Sequence, residues 1–235
     1  MKINLKVKPR NPIIIEGFPG FGFVSTIASE FLIKHLDAKR IGSINSSKLT
    51  PMAAIHGSEI INPLEIHYAK KQNIIIIRSL TNIAGAEWEI ADMIIDLAKQ
   101  LKAKEVISIE GIANDEDEKL DVYYFTKSKD REKKFEKIKV KKLKDGIIIG
   151  VSGALILKAD EIPLSCVFVE ANPGLPDSRA AGEAVKALDA YLGLKVDYKP
   201  LVKTAEEFES KLKDLIMKAK KATNMKEEKE AGYLG

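Results

Sequence analysis

Short runs of consecutive apolar residues, each followed by a stretch with helical periodicity, recur along this chain, and that alternation constrains its fold more than any other feature. The first run, Asn11-Pro-Ile-Ile-Ile-Glu-Gly17, is closed by glycine, as a strand buried on both faces would be. Beyond the turn Phe18-Pro-Gly-Phe-Gly-Phe23, residues Val24, Ile27, Ala28, Phe31, Leu32 and Leu36 fall at the spacing of one helix face. Leu64–Ala69 and Ile74–Ile77 read as adjacent strands joined by a turn at Lys70–Asn73. Ala86–Leu101 reads as an amphipathic helix, and Glu105–Glu110, Ile147–Ile149 and Cys166–Val169 as further buried strands. A helix over Ser178–Leu192 starts behind Asp177, a favourable N-cap, and breaks at Gly193. Strands alternating with helices predict an α/β fold whose mostly parallel sheet is covered on both faces.

No Pro/Gly/Ser-rich linker divides the 235 residues, so a single domain is expected over 1–202. Residues 113–145 are polar, with a strand-like Val122–Phe125, and read as an insertion at the sheet edge. A C-terminal helix is expected over 203–223. Thr204-Ala-Glu-Glu207 has the capping-box pattern, and Phe208, Leu212, Leu215, Ile216 and Ala219 form a stripe. Residues 224–235 can bury almost nothing and read as a flexible tail carrying Tyr233 and Leu234 near its tip.

The 38 basic and 34 acidic side chains are interspersed, which argues against a nucleic-acid protein, where basic residues concentrate beside exposed aromatics. The one local excess, Lys137, Lys139, Lys141, Lys142 and Lys144, lies among glutamates and reads as a solvated edge. A single cysteine, Cys166, suits a reducing cytosol, and no run approaches the roughly 20 apolar residues of a membrane helix. The expected location is cytoplasmic. Abundant Ile, Lys and Glu matches the composition associated with hyperthermophiles.

Chemistry is sought first in the glycine-rich turn. Gly17, Gly20 and Gly22 sit between strand and helix, where backbone amides can hold an anion. Their G-x-x-G-x-G spacing is neither the dinucleotide fingerprint nor a P-loop. Phe18, Phe21 and Phe23, with Pro19 among them, surround the turn with apolar surface, so a tight turn whose phenylalanines pack on a neighbour is favoured over phosphate binding, the second reading. The loop Glu170-Ala-Asn-Pro-Gly-Leu-Pro-Asp177 also joins a strand to a helix, at the sheet end where α/β ligand crevices lie. Asn172, Pro173 and Asp177 there serve either a ligand or the loop's own geometry. Glu16, Arg78, Glu110 and Glu170 could converge into a polar crevice at the same edge. His35, His56 and His67 have no metal-ligand spacing and read as structural, with Glu59 or Glu65 as possible partners for the latter two. Cys166 reads as a buried small hydrophobe, and Ser152 lacks the nucleophile-elbow pattern. No catalytic, metal or cofactor constellation emerges, and a protein-binding role is expected.

Two motifs carry a family resemblance. Ile15-Glu-Gly-Phe-Pro-Gly-Phe-Gly22 resembles the G-x-P-G turn of the PAC2 family, the proteasome assembly chaperones and their archaeal relatives. Glu170-Ala-Asn-Pro-Gly-Leu-Pro-Asp-Ser-Arg-Ala-Ala181, followed by a helix and Gly193-Leu-Lys-Val-Asp197, resembles that family's Pro-Asp-x-x-Ala-Ala segment. The resemblance implies a Rossmann-like three-layer sandwich, similar in shape to nucleoside phosphorylases, that self-associates as a trimer to pentamer. It also implies binding to 20S proteasome α-subunits without ATP, as assembly chaperone or activator, through tails such as Tyr233-Leu234-Gly235. Proteasome-docking tails place tyrosine penultimate; here Tyr233 is third from the end, one residue out of register. The alternative function is a nucleotide- or nucleoside-binding enzyme, ATP-grasp-like or phosphorylase-like, using the glycine-rich turn.

Overall fold

The isoleucine-rich runs form the middle of one large sheet because their side chains are wanted on both of its faces. The computed structural model describes residues 2–46, 48, 49, 51, 53–56, 59–113, 120–158, 160–173 and 176–197. The strands in chain order are β1 (Lys2–Leu5), β2 (Ile13–Gly17), β3 (Lys39–Asn45), β4 (Ala54–His56), β5 (Glu59–Ile61), β6 (Leu64–Ala69), β7 (Ile74–Ser79), β8 (Glu105–Ala113), β9 (Val122–Thr126), β10 (Lys141–Lys142) and β11 (Leu164–Ala171). The helices are α1 (Val24–His35), α2 (Glu87–Leu101), α3 (Lys129–Lys137), α4 (Val151–Leu157) and α5 (Ser178–Leu192), with a 3-10 turn at Phe21–Phe23 ahead of α1.

Nine strands pair in the order β1-β3-β6-β7-β2-β8-β11-β9-β10, while β4 and β5 pair only with each other. Alternation along the central strands builds two cores. Ile14, Ile75, Ile77, Val106, Cys166 and Phe168 face α2 and α4. Ile15, Ile74, Ile76, Ile107, Val167 and Val169 face α1 and α5. Three layers result, with each strand's period-two pattern shared between two helix layers.

The expected mostly parallel sheet is corrected to a mixed one. β7, β2, β8 and β11 form a parallel centre. Around it β1–β3, β3–β6, β6–β7 and β11–β9 are antiparallel, and β10 lies parallel to β9. The physical reason is connection length. The segment Lys70–Asn73 between β6 and β7 is too short for the crossover that parallel neighbours require. Ile147–Ile149 is likewise no strand: Ile148 packs inward, Ile147 and Ile149 are exposed, and Gly150 (φ 87°) starts α4. Within 113–145, β9, α3 and β10 close one end of the sheet and bury Tyr124 and Phe135, which stack at 4.7 Å. The helix expected over 203–223 and the tail 224–235 lie outside the described residues.

Candidate functional site

The two loops singled out by sequence meet. Gly17 ends β2 where α1 passes so close that a Cβ would overlap Ser29 Oγ and approach Ser25 O at 2.5 Å. Ser25 Oγ donates to Phe18 O, which anchors the turn to the first turn of α1. Phe18 is buried with the α2–α4 core, Pro19 is half-buried, and Phe21 is 46% exposed. Gly22 has φ +60°, and a Cβ there would lie 2.8 Å from Ala171 Cβ and 3.2 Å from Asp177 Cβ. Its carbonyl accepts from Asp177 N at 2.8 Å. Asp177 caps α5 by accepting from Ala180 N at 2.9 Å, and its second oxygen accepts from Asn172 N at 3.2 Å. Asn172 and Pro173 are exposed, while Gly174 and Leu175 lie outside the described residues. The loops are thus stitched through backbone and one aspartate, and the concave side of Gly22 is filled by protein.

Under the turn lies a buried carboxyl cluster. Glu16 (β2) and Glu110 (β8) face the α2–α4 side and are joined by two serines. Ser108 Oγ donates to Glu16 Oε1, Ser108 and Ser152 hydroxyls lie 2.8 Å apart, and Ser152 Oγ donates to Glu110 Oε2 at 3.0 Å. Burial pushes Glu16 up to about 8, with the Ser108 hydrogen bond opposing and Glu110 adding to the rise. Burial likewise raises Glu110 to about 7 against the Ser152 and Gly111 hydrogen bonds. Near neutral pH Glu16 is held mainly as the neutral acid and Glu110 lies near the midpoint of its titration, because hydroxyl partners carry no charge to offset desolvation. Cys166 is fully buried beside them, its thiol raised by burial and then by Glu16 and Glu110. A Cβ on Gly20 would overlap Glu110 Oε1. A carboxyl group therefore fills the underside of the turn, where a bound phosphate would need room and positive charge.

The expected convergence of four charged groups is half right. Arg78 pairs in register with Gly17 but faces the α1 side. There Arg78 Nη2 reaches Glu65 Oε2 at 2.7 Å, Nη1 pairs with Glu30, and Glu65 also takes Arg40 Nη1 at 3.0 Å and His67 Nε2 at 3.1 Å. Burial alone would raise Glu65, but His67, Arg40 and Arg78 outweigh it and bring the carboxyl to about 2. Glu170 turns toward β9, accepting from Tyr123 OH at 3.0 Å and Asp121 N at 2.9 Å. His67 thus finds Glu65, and His35 stacks on Phe31 at 5.2 Å. His56 and Glu59 are opposite each other in the β4–β5 register. Sequence reasoning missed Ser108 and the role of Ser152, for isolated serines carry no periodic signal. Among the described residues no group of three or more His, Cys, Asp and Glu could hold a metal, and no helix is long and apolar enough to cross a membrane. Tyr233, Leu234 and Gly235 lie outside the described residues.

Residues 14–216 match the model of the PAC2 family. The chain is similar in structure to Pyrococcus furiosus PbaA, an archaeal homolog of proteasome-assembly chaperone, with a TM-score of 0.83 and 34% identity, over 94% of this chain and 100% of that one. It is also similar to P. furiosus PbaB, an archaeal proteasome activator, with a TM-score of 0.75 and 25% identity, over 91% of this chain and 98% of that one. An uncharacterized protein of Methanocaldococcus jannaschii is 28% identical over 214 residues, which cover 89% of this chain and 87% of that protein. The likeness in shape to nucleoside phosphorylases expected from the sequence has no support in these structures.

Proposed function

The chain belongs to the PAC2 family, and from that premise we propose that it is a cytoplasmic proteasome assembly chaperone or ATP-independent activator that binds 20S α-subunits as a homo-oligomer. One observation carries the reading: full-length likeness to PbaA at 34% identity. The site geometry supports it. Both motif loops are used up in fixing one another, Phe21 is presented to solvent, and Glu110 occupies the space beneath Gly20. These features suit a rigid contact surface more than a nucleotide cradle. The segment bearing Tyr233, Leu234 and Gly235 is the proposed docking element, an aromatic and an aliphatic anchor on a charged tether. Several such segments on one assembly raise avidity by roughly 10²- to 10⁴-fold when their geometry matches the target ring.

Native mass spectrometry of the chain mixed with 20S α-subunits tests the proposal. A salt-resistant complex is expected; separate components at every salt concentration would overturn it. Deleting Gly232–Gly235 should weaken that complex. Unchanged binding would remove the tail from the account and leave the family role in place.

A further inference from the structure

α4 (Val151–Leu157) has one polar side chain, and it points inward: Ser152 donates to Glu110. Its outer positions are Gly153, Ile156 and Leu157, so this helix offers water no polar face. A helix apolar all round belongs in an interior. Ile147 and Ile149, just ahead of α4, and Trp88, at the start of α2, continue the surface. Lys158 joins the end of α4 to α2, its Nζ lying 5.9 Å from the Trp88 ring and pairing with Asp92. Ile147, Ile149, Leu157 and Trp88 are between 53% and 90% exposed. They present on the order of 500 Å² of apolar surface, at the upper end for a lone subunit and approaching the roughly 800 Å² per partner of a stable interface. The rim carries both signs, with Lys158 paired to Asp92 and Lys99 to Glu161 beside Lys144, Asp145 and Glu87, so it shows no excess of one charge.

A second apolar group stands toward the opposite end of the sheet. Ile55 on β4 and Ile60 on β5 are directly opposite in register, 76% and 61% exposed. A two-stranded pair is marginal alone in water; this one is fastened at its root by Arg40 Nη1 donating to Ile60 O at 3.0 Å. It lies between β3 and β6 in the chain, neighbours near the β1 end of the sheet, whereas α4 packs on β8 and β11 toward the β10 end.

We infer that the Ile55–Ile60 pair of one copy seats on the Trp88–Ile147–Ile149–Leu157 surface of the next copy, head to tail. The inference rests on the self-association proposed above and supplies its junction. Two different surfaces at opposite ends of one sheet make a heterologous contact, which repeats until rotation closes a ring. A surface that matched itself would stop at a dimer.

Two double variants test this by sedimentation velocity: Ile55→Asp with Ile60→Asp, and Ile149→Asp with Leu157→Asp. The unaltered chain should sediment as a closed multiple, and each variant as a single chain, a mass loss of threefold or more. An equimolar mixture of the variants should form a two-chain particle and nothing larger, since one intact junction remains and cannot propagate. Circular dichroism checks that both variants fold, and the same positions changed to serine repeat the test where aspartate disturbs folding. Variants that keep the full mass would show the junction to lie elsewhere while self-association stands. A mixture that stays single-chain would show that the two surfaces do not meet. If the unaltered chain is single at every concentration, both this junction and the oligomeric reading fall.

Discussion

The two faces of the sheet treat a buried glutamate in opposite ways. On the α1–α5 side, Glu65 sits among Arg78, Arg40 and His67 and is held ionised, its carboxyl brought down to about 2. On the α2–α4 side, Glu16 and Glu110 have serine hydroxyls and the backbone of Phe18 and Gly111 but no cation, and burial pushes them up to about 8 and about 7. Burial is shared by both sites, so partner chemistry decides the charge state. The outer surfaces differ in the same direction. α5 shows Arg179 and Lys186 to solvent, while α4 shows Leu157, and Ile149 ahead of it and Trp88 on α2 are exposed as well. One face is finished with charge, whereas on the other the charged outer side of α2, with Asp92, Asp96 and Lys99, gives way to an apolar surface over α4 and 147–149, as a surface meant for another protein would be.

Removing charge from the ionised site should have the largest effect. Arg78→Met leaves Glu65 and Glu30 without their shared guanidinium, and a loss of about 3 to 5 kcal/mol is expected in guanidinium unfolding. A loss below 1 kcal/mol would break the comparison.

The pH dependences come next, with opposite signs. Glu16 binds its proton more tightly folded than unfolded, so its contribution is whole below about 4.5 and is lost as pH rises through about 8. Glu65 binds its proton less tightly folded, so its contribution is whole above about 4.5 and is lost as pH falls toward about 2. Glu16→Gln should therefore flatten the alkaline limb by on the order of 3 kcal/mol between pH 5 and pH 8 and leave the acid limb intact. Thermal unfolding across that range checks it, and a variant with an unchanged alkaline limb would contradict the neutral-acid assignment.

Gly20→Ala should cost about 2 kcal/mol, because its methyl group overlaps the Glu110 carboxyl. Combined with Glu110→Ala, most of that cost should vanish; an additive pair would mean that the two groups do not touch. Smallest is Lys186→Ala on the charged face. It removes an exposed pair with Glu183 and should change stability by no more than about 0.5 kcal/mol.

Much of this architecture is legible in sequence where one signal dominates. Asp177, Ser178–Leu192 and Gly193 announce a cap, a helix and a stop, and the structure has all three. The isoleucine runs announce buried strands but not their direction, which is set by connections such as Lys70–Asn73. Ile147–Ile149 misleads because a three-residue apolar run has no period, and its exposure reflects a surface left for company rather than a core. The meeting of the two loops could be guessed from their places after β2 and β11. The sharing of Glu16 and Glu110 between Ser108 and Ser152 could not, since it joins residues up to 92 positions apart through side-chain facing alone. Arg78, assigned to the same crevice, fell on the far face by the alternation that buried its neighbours Ile75 and Ile77 on the other side.

Hydrogen–deuterium exchange, compared between the chain diluted to single subunits and the chain assembled at high concentration, tests most directly which face works. The account expects slowed exchange across α4, the segment 146–150, the start of α2 and the β4–β5 pair once the assembly forms, with α5 unchanged. Slowed exchange confined to α1 and α5, with α4 as open as in the isolated chain, would contradict it.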